Sequence, residues 1–63
     1  MARYVLEPDS VDYVVLKALL RNQIVFDKMG NRANQTAFIS RKTDLNEKVV
    51  SSSLARLKQN KYF

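Results

Sequence analysis

TAFISRKTDLNEKVVSSSLARLKQNKYF, residues 36–63, contains two helical patterns that are separated by a short polar turn. The spacing predicts one helix over residues 36–43 and a second over residues 46–60. Asn46 is a favourable N-cap for the second helix, because its side chain can accept a hydrogen bond from an unpaired backbone N–H group of the first turn. The apolar residues of that helix recur at spacings of four and three, which places them on one face: Val50, Leu54 and Leu57.

The opposite face of the second helix is polar, mostly small and net basic. A helix that packs on one side and presents such residues on the other suits the major groove of duplex DNA. The residues expected on this face are Lys48, Ser51, Ser52, Ala55, Arg56 and Gln59.

The spacing of six residues in this region matches a known pattern: Ile39, Ser40, Leu45, Val50, Leu54 and Leu57. With them the stretch resembles the helix-turn-helix of winged-helix DNA-binding proteins of the MarR-like regulator type. It is also similar to the N-terminal domains of some phage replication initiators. The resemblance implies a mostly α fold: a three-helix helix-turn-helix of winged-helix type with a short or truncated β element. Tyr62 and Phe63 lie where the first wing strand of the family begins.

Three positions depart from the family pattern. Ser40 replaces the usual alanine at the closest approach of the two helices, and serine is nearly as small. Asp44 holds a turn position that is often glycine, and aspartate tolerates the left-handed conformation better than most residues. Lys61 stands where the family has glycine before the wing. Since the sequence ends at Phe63, we expect no complete two-stranded wing.

The first half of the chain predicts one long helix over residues 11–29. Asp9 or Ser10 can cap it, and Asp12 adds a negative charge near its positive end. An alternative ends this helix near Asn22 and makes residues 24–26 a short strand.

The segments around this helix carry weaker signals. Residues 2–7 are partly β-branched and aromatic, which favours an extended segment or short strand. Gly30 is a natural residue to end the long helix, and residues 30–35 are polar, so we expect a loop there.

The long helix is apolar on more than one face. A second apolar stripe contains Tyr13, Leu16, Leu20 and Ile24. It exceeds what a chain of 63 residues needs for its own core. We therefore expect this stripe to form a homodimer interface; the alternative is that the N-terminal arm and the C-terminal aromatic residues cover it.

Length and composition limit the possible functions. Residues 1–63 are expected to form a single domain, which is marginally stable at this size. The chain has no cysteine and no histidine, so disulfides, thiolate metal sites and histidine-based catalysis are excluded. The three consecutive serines have no histidine partner, and we expect no enzyme activity, no cofactor and no metal site. No targeting signal or membrane-length apolar run is present, which favours the cytoplasm and no membrane association.

Charge is distributed unevenly along the chain. The net charge is +5. Residues 1–31 contain four basic and four acidic residues, whereas residues 32–63 contain seven basic and two acidic residues. A basic half that coincides with the helix-turn-helix pattern favours an anionic partner, double-stranded DNA.

The candidate DNA contacts lie in both helices of the motif. Thr36 is expected to cap the first helix, with or without a bond to a DNA phosphate. Arg41 and Lys42 suit contacts to the DNA backbone, although exposed charges are often only solvated. The second helix supplies candidates for base edges and flanking phosphates, namely Asn46, Lys48, Ser51, Ser52 and Arg56.

Two functions remain open at this stage. The first is a sequence-specific duplex-DNA-binding protein, a small transcriptional regulator that acts as a homodimer and reads the major groove with the helix at residues 46–60. The second is a protein-interaction module, such as a phage or plasmid modulator or replication accessory factor, which uses the same scaffold to bind another protein.

Overall fold

A computed structural model describes residues 5–63, and most of these residues are helical. The elements, in chain order, are α1 (Val11–Arg21), α2 (Gln23–Met29), α3 (Arg32–Thr43) and α4 (Glu47–Gln59). The prediction of a mostly α chain is confirmed. Residues 5–63 contain no strand, so the expected β element is absent from that range, both at residues 5–7 and at Tyr62. The rest of the predicted N-terminal strand, residues 2–4, lies outside the described residues.

The core forms where α4 packs against α1 and α3. The apolar face predicted for α4 is confirmed, because its three large residues are completely buried. Leu16 is only 8% exposed and belongs to this core, so its assignment to a dimer interface is wrong. The buried apolar residues are Val15, Leu16, Leu19, Phe26, Ile39, Val50, Leu54 and Leu57.

Among the helices within residues 5–63, none combines the length and apolar character that a bilayer crossing requires.

The predicted long helix is interrupted at Asn22. This residue has φ −122° and ψ 29°, and its side-chain amide donates a hydrogen bond of 2.9 Å to the carbonyl of Ala18. Asparagine competes with the helical backbone in this way, which explains the break between α1 and α2. The alternative is confirmed in its helix end near Asn22 and wrong in its strand at residues 24–26, since these residues are helical. The break lets Phe26 reach the core, where its ring meets Phe63 edge-on with centroids 5.7 Å apart.

Helix α3 starts at Arg32, four residues before the predicted start at residue 36. Gly30 ends α2 with φ 75°, and the next residue, Asn31, caps α3 by accepting a 2.8 Å hydrogen bond from the backbone N–H of Asn34. The predicted loop over residues 30–35 is therefore mostly helix. Thr36 does not cap any helix: it lies inside α3 and is only 6% exposed.

The turn between α3 and α4 follows the sequence prediction. Asp44 adopts the left-handed conformation with φ 59°, which only glycine adopts without a steric cost. Asn46 caps α4, because its Oδ1 accepts a 2.7 Å hydrogen bond from the backbone N–H of Lys48. Ser40 Oγ donates a hydrogen bond to the carbonyl of Leu45, which ties α3 to the turn.

The chain after α4 folds back instead of starting a wing. Lys61 is left-handed, with φ 62°. The backbone N–H of Tyr62 donates to the carbonyl of Leu57 at 2.9 Å, and that of Lys61 donates to the carbonyl of Lys58 at 3.0 Å. This pair of bonds is the Schellman motif, which ends a helix by satisfying its last carbonyl groups. It turns Phe63 towards Phe26 and the core.

Candidate nucleic-acid interface

The face of α4 that points away from the core consists of exposed residues with small or flexible side chains. Burial of the opposite face on α1 and α3 fixes which residues point outwards. Those near the centre of the outward face are Lys48, Ser51, Ser52, Ala55 and Gln59. This face has no large apolar side chain at its centre, so another surface can approach the helix backbone closely. We call these five residues the outward face of α4.

Arg56 is not on the centre of this face, because it is bound to α1. Its Nε donates to Asp12 Oδ2 at 2.9 Å, and its Nη2 donates to Asp12 Oδ1 at 2.8 Å. Ser53, which is completely buried, donates its hydroxyl hydrogen to the same Oδ1 at 2.6 Å. The prediction that Arg56 projects opposite the core without contacting it is therefore wrong: it forms a bidentate ion pair with the buried carboxylate of α1.

Asp12 has a tertiary role that the sequence prediction did not include. It lies in the first turn of α1, as expected, and in addition it is 7% exposed and binds two side chains of α4. A signal was present in the sequence. Asp12 precedes Val15, Leu16 and Leu19 by three, four and seven residues, so it falls on the helix face that those core residues define.

The ion pair changes the electrostatics of the outward face. Because Asp12 compensates the charge of Arg56, Lys48 is the cation at the centre of the outward face. Lys58 lies further along α4 with its Nζ 5.9 Å from the centroid of the Phe63 ring.

The other predicted contacts occupy different environments. Asn46 is exposed at the start of α4, but its Oδ1 is used by the cap, so its amide N–H groups are what it can offer to a partner. Arg41 and Lys42 are exposed in the last turn of α3. Both line a surface groove of about 610 Å³ beside Met29 and Phe38, and Lys42 Nζ lies 5.4 Å from the centroid of the Phe38 ring. Thr36 is buried and cannot touch a partner on this surface.

Three of the four residues expected at a dimer interface are accessible. Tyr13 is 37% exposed, Leu20 is 53% exposed and Ile24 is 72% exposed. Tyr13 and Leu20 are seven residues apart on α1, so they share a side of that helix. Val25 follows Ile24 and is also half exposed. We call Leu20, Ile24 and Val25 the junction surface, because they flank the break between α1 and α2.

Metal chemistry has no evident location in the described part of the chain. No group of three or more potential acidic, cysteine or histidine ligands comes together within residues 5–63. Comparisons with protein-family models, with curated proteins and with solved structures find no match to this chain.

Proposed function

We propose that this protein binds duplex DNA in a sequence-specific manner through the outward face of α4, as a small cytoplasmic transcriptional regulator that acts as a homodimer. The observation that carries the proposal is the division of α4 into two faces. One face is completely buried against α1 and α3, whereas the other exposes only a lysine, two serines, an alanine and a glutamine at its centre. A helix held in this way, after a short turn, can enter the major groove with side chains that do not obstruct it.

The residues of the surface divide into two groups by their chemistry. Lys48 is a point charge near the start of α4 and suits a DNA phosphate, as do Arg41 and Lys42 at the end of α3. Ser51 and Ser52 can hydrogen-bond either base edges or phosphate, and their small size permits close approach.

Arg56 has a positioning role in this proposal. Its bidentate pair with Asp12 links the last turn of α4 to the first turn of α1. Together with burial of the apolar face, that link holds the rotation of α4 about its axis, and so determines which side chains point outwards. Asp12 neutralises the charge that Arg56 would otherwise bring to a phosphate.

A homodimer would extend recognition to two half-sites. The junction surface supplies exposed apolar area that the monomer does not cover. Two copies related by a two-fold axis would present two α4 helices to successive turns of the groove, roughly 34 Å apart.

A gel mobility-shift assay against random duplex DNA, with salt titration, tests the proposal. Lys48→Ala should weaken binding uniformly across sequences and lower the slope of log affinity against log salt by about one. Lys28→Ala is the matched control, because Lys28 is an exposed lysine in the last turn of α2. Absence of wild-type binding at low salt, or equal losses in the two variants, would contradict the proposal.

Sedimentation analysis tests the homodimer separately. The double variant Leu20→Ser and Ile24→Ser should convert the dimer to a monomer without loss of helix, because both side chains are exposed. DNA affinity should fall in parallel. A wild-type chain that is monomeric at high concentration would exclude the homodimer.

The second candidate function is a protein-interaction module, and the junction surface is the observation that favours it. Leu20, Ile24 and Val25 would then bind a different protein, and the outward face of α4 would have no role. A monomeric wild type that does not bind DNA would favour this function over the first.

A further inference from the structure

A second concave surface lies between α1 and the end of α3, with a volume of about 470 Å³. Three cationic side chains line it: Lys17 and Arg21 from α1, and Lys42 from α3. Tyr13 and Val14 from α1 and Pro8, which precedes that helix, provide an apolar wall. We call this surface the basic groove. None of its lining residues belongs to α4, so it is distinct from the outward face of that helix.

The basic groove concentrates positive charge, because its charged lining residues within the described range are all cations. No carboxylate lines it, although Asp9 and Asp44 are the sequence neighbours of the lining residues Pro8 and Thr43. Lys17, Arg21 and Lys42 form no ion pair with a carboxylate anywhere in the described range. Lys17 and Arg21 are four residues apart, so they are neighbours on the same side of α1 and repel each other. An anion between the cations would relieve that repulsion.

Two other polar side chains of the groove, Thr43 and Asn22, are already bonded to the backbone. Thr43 Oγ1 donates to the carbonyl of Ile39 at 2.7 Å, and the Asn22 amide donates to the carbonyl of Ala18 at 2.9 Å. These bonds hold the two side chains against their own helices. Recognition of an anion would therefore fall to the three cations, with the Tyr13 ring available for stacking.

We infer that the basic groove binds a nucleoside polyphosphate. The volume falls within the range of about 300–1,000 Å³ that is usual for small-molecule sites. Three cations match the charge of a di- or triphosphate, and the Tyr13, Val14 and Pro8 wall offers a surface on which a base can lie. This site goes beyond the DNA interface proposed above: it shares Lys42 with that interface, whereas Lys17 and Arg21 belong to the groove alone.

A compact ligand fits the groove better than a nucleic-acid backbone does. The three cations come from two helices and line one concavity, and Lys42 also lines the neighbouring groove, where its Nζ lies 5.4 Å from the centroid of the Phe38 ring. A polymer needs charges spaced along a track. The apolar wall lies in the same concavity, so one molecule that carries both a base and several phosphates would meet both features.

The test is an NMR titration of the ¹⁵N-labelled full chain with ATP, inorganic pyrophosphate and adenosine as separate probes, without divalent cations. Backbone amide shifts are followed for wild type and for the double variant Lys17→Ala and Arg21→Ala. The matched control is the double variant Lys28→Ala and Lys58→Ala, which removes the same charge from exposed helix positions outside the groove. All four substitutions place alanine on exposed helix surfaces, so the helices should be retained.

The expected result is saturable binding of ATP, with shifts confined to residues 8–22 and 42–43. The groove variant should lose about tenfold or more in ATP affinity, while the control variant changes by less than about threefold. Pyrophosphate should bind more weakly than ATP at the same residues, and adenosine more weakly still.

Three outcomes would overturn the inference. The first is the absence of saturable ATP binding at millimolar concentration. The second is an equal loss in both double variants, which would mean that binding follows net charge and not the groove. The third is that duplex DNA, added without ATP, shifts the amides of residues 13–21 as ATP does, which would make the groove a DNA-backbone site. Failure of the α4 interface would instead leave these ATP shifts unchanged.

Discussion

Asp12 in the first turn of α1 and Arg56 near the end of α4 form a bidentate ion pair, with N–O distances of 2.8 and 2.9 Å. The carboxylate is buried and the arginine side chain is 49% exposed. The pair joins residues that are 44 positions apart in the chain, and Ser53 adds a third hydrogen bond to the same carboxylate. The orientation of α4, and hence of its outward face, depends on this contact as well as on apolar packing.

Arg56→Ala should lower the free energy of unfolding by about 1–3 kcal/mol. The substitution removes two charge-assisted hydrogen bonds from the buried Asp12 carboxylate, although exposure of the arginine keeps the loss below that of a fully buried pair. Urea unfolding measures the effect. Arg41→Ala, an exposed arginine in α3, is the control and should change stability by no more than about 0.5 kcal/mol. Equal values for the two variants would show that the pair contributes nothing.

A double-mutant cycle with Asp12→Asn isolates the interaction itself. The Asp12→Asn and Arg56→Ala changes should be non-additive, with a coupling energy of roughly 0.5–3 kcal/mol. The reason is that removal of either partner already breaks the same two hydrogen bonds. Additive losses in urea unfolding would mean that the two side chains stabilise the fold independently.

Leu54→Ala should destabilise the fold by roughly 2–5 kcal/mol, because Leu54 is fully buried at the contact of α4 with α1 and α3. For a chain of this size such a loss can abolish folding. Val49→Ala also shortens an apolar side chain of α4, but at a residue that is 40% exposed, and should cost under about 1 kcal/mol. Thermal melts followed by circular dichroism compare the two. Similar melting temperatures of the two variants would contradict the assignment of Val50, Leu54 and Leu57 to the buried face of α4.

Lys61→Gly should stabilise the protein by about 0.5–1 kcal/mol. Lys61 is left-handed at the end of the Schellman motif, a conformation that costs an ordinary residue roughly 1–2 kcal/mol, and the greater freedom of glycine in the unfolded chain offsets part of the gain. The reciprocal change is Gly30→Ala, which should cost about 1 kcal/mol; a Cβ there meets no atom within 4 Å, so the cost is purely conformational. Chemical denaturation gives both values, and destabilisation by Lys61→Gly would exclude this explanation.

Substitutions at Asn46 should separate its structural role from DNA binding. Asn46→Ala should cost about 1 kcal/mol, because the cap on the backbone N–H of Lys48 is lost. Asn46→Asp should keep the cap and the stability, yet weaken DNA binding by placing a negative charge beside the phosphates. Unfolding and mobility-shift measurements on both variants distinguish the effects. Unchanged DNA affinity of Asn46→Asp would place this end of α4 outside the interface.

Much of α4 and of the turn before it could be predicted from residues 36–63 alone. Val50, Leu54 and Leu57 define the inner face of α4 by their spacing, and the structure buries all three. The Asn46 cap and the left-handed Asp44 also follow from the sequence, because capping and turn preferences are local properties of a few residues. The exposure of Lys48, Ser51 and Ser52 then follows from the position of the buried face.

The first half of the chain was harder to predict, because local preferences compete there. Residues 11–29 show a nearly continuous apolar pattern, which favours one long helix over the alternative that ends a helix near Asn22. The side chain of Asn22 bonds to the backbone of α1, and Phe26 turns into the core beside Phe63. Asn31 is a favourable N-cap residue and so marks the start of α3 in the sequence. A polar segment after glycine nevertheless favours a loop, and packing of α3 against its neighbours is what stabilises the helix there.

The sequence by itself determined the helical class, the buried face of α4 and the caps at its start, because each depends on periodicity or on residues a few positions apart. Only the tertiary structure decided that Asp12 pairs with Arg56, that Leu16 is buried while Leu20 and Ile24 stay exposed, and that Lys42 joins Lys17 and Arg21 in one groove. These features join residues on different helices or select one of several apolar faces. Such choices depend on how the helices are oriented against each other, and helix periodicity does not encode that orientation.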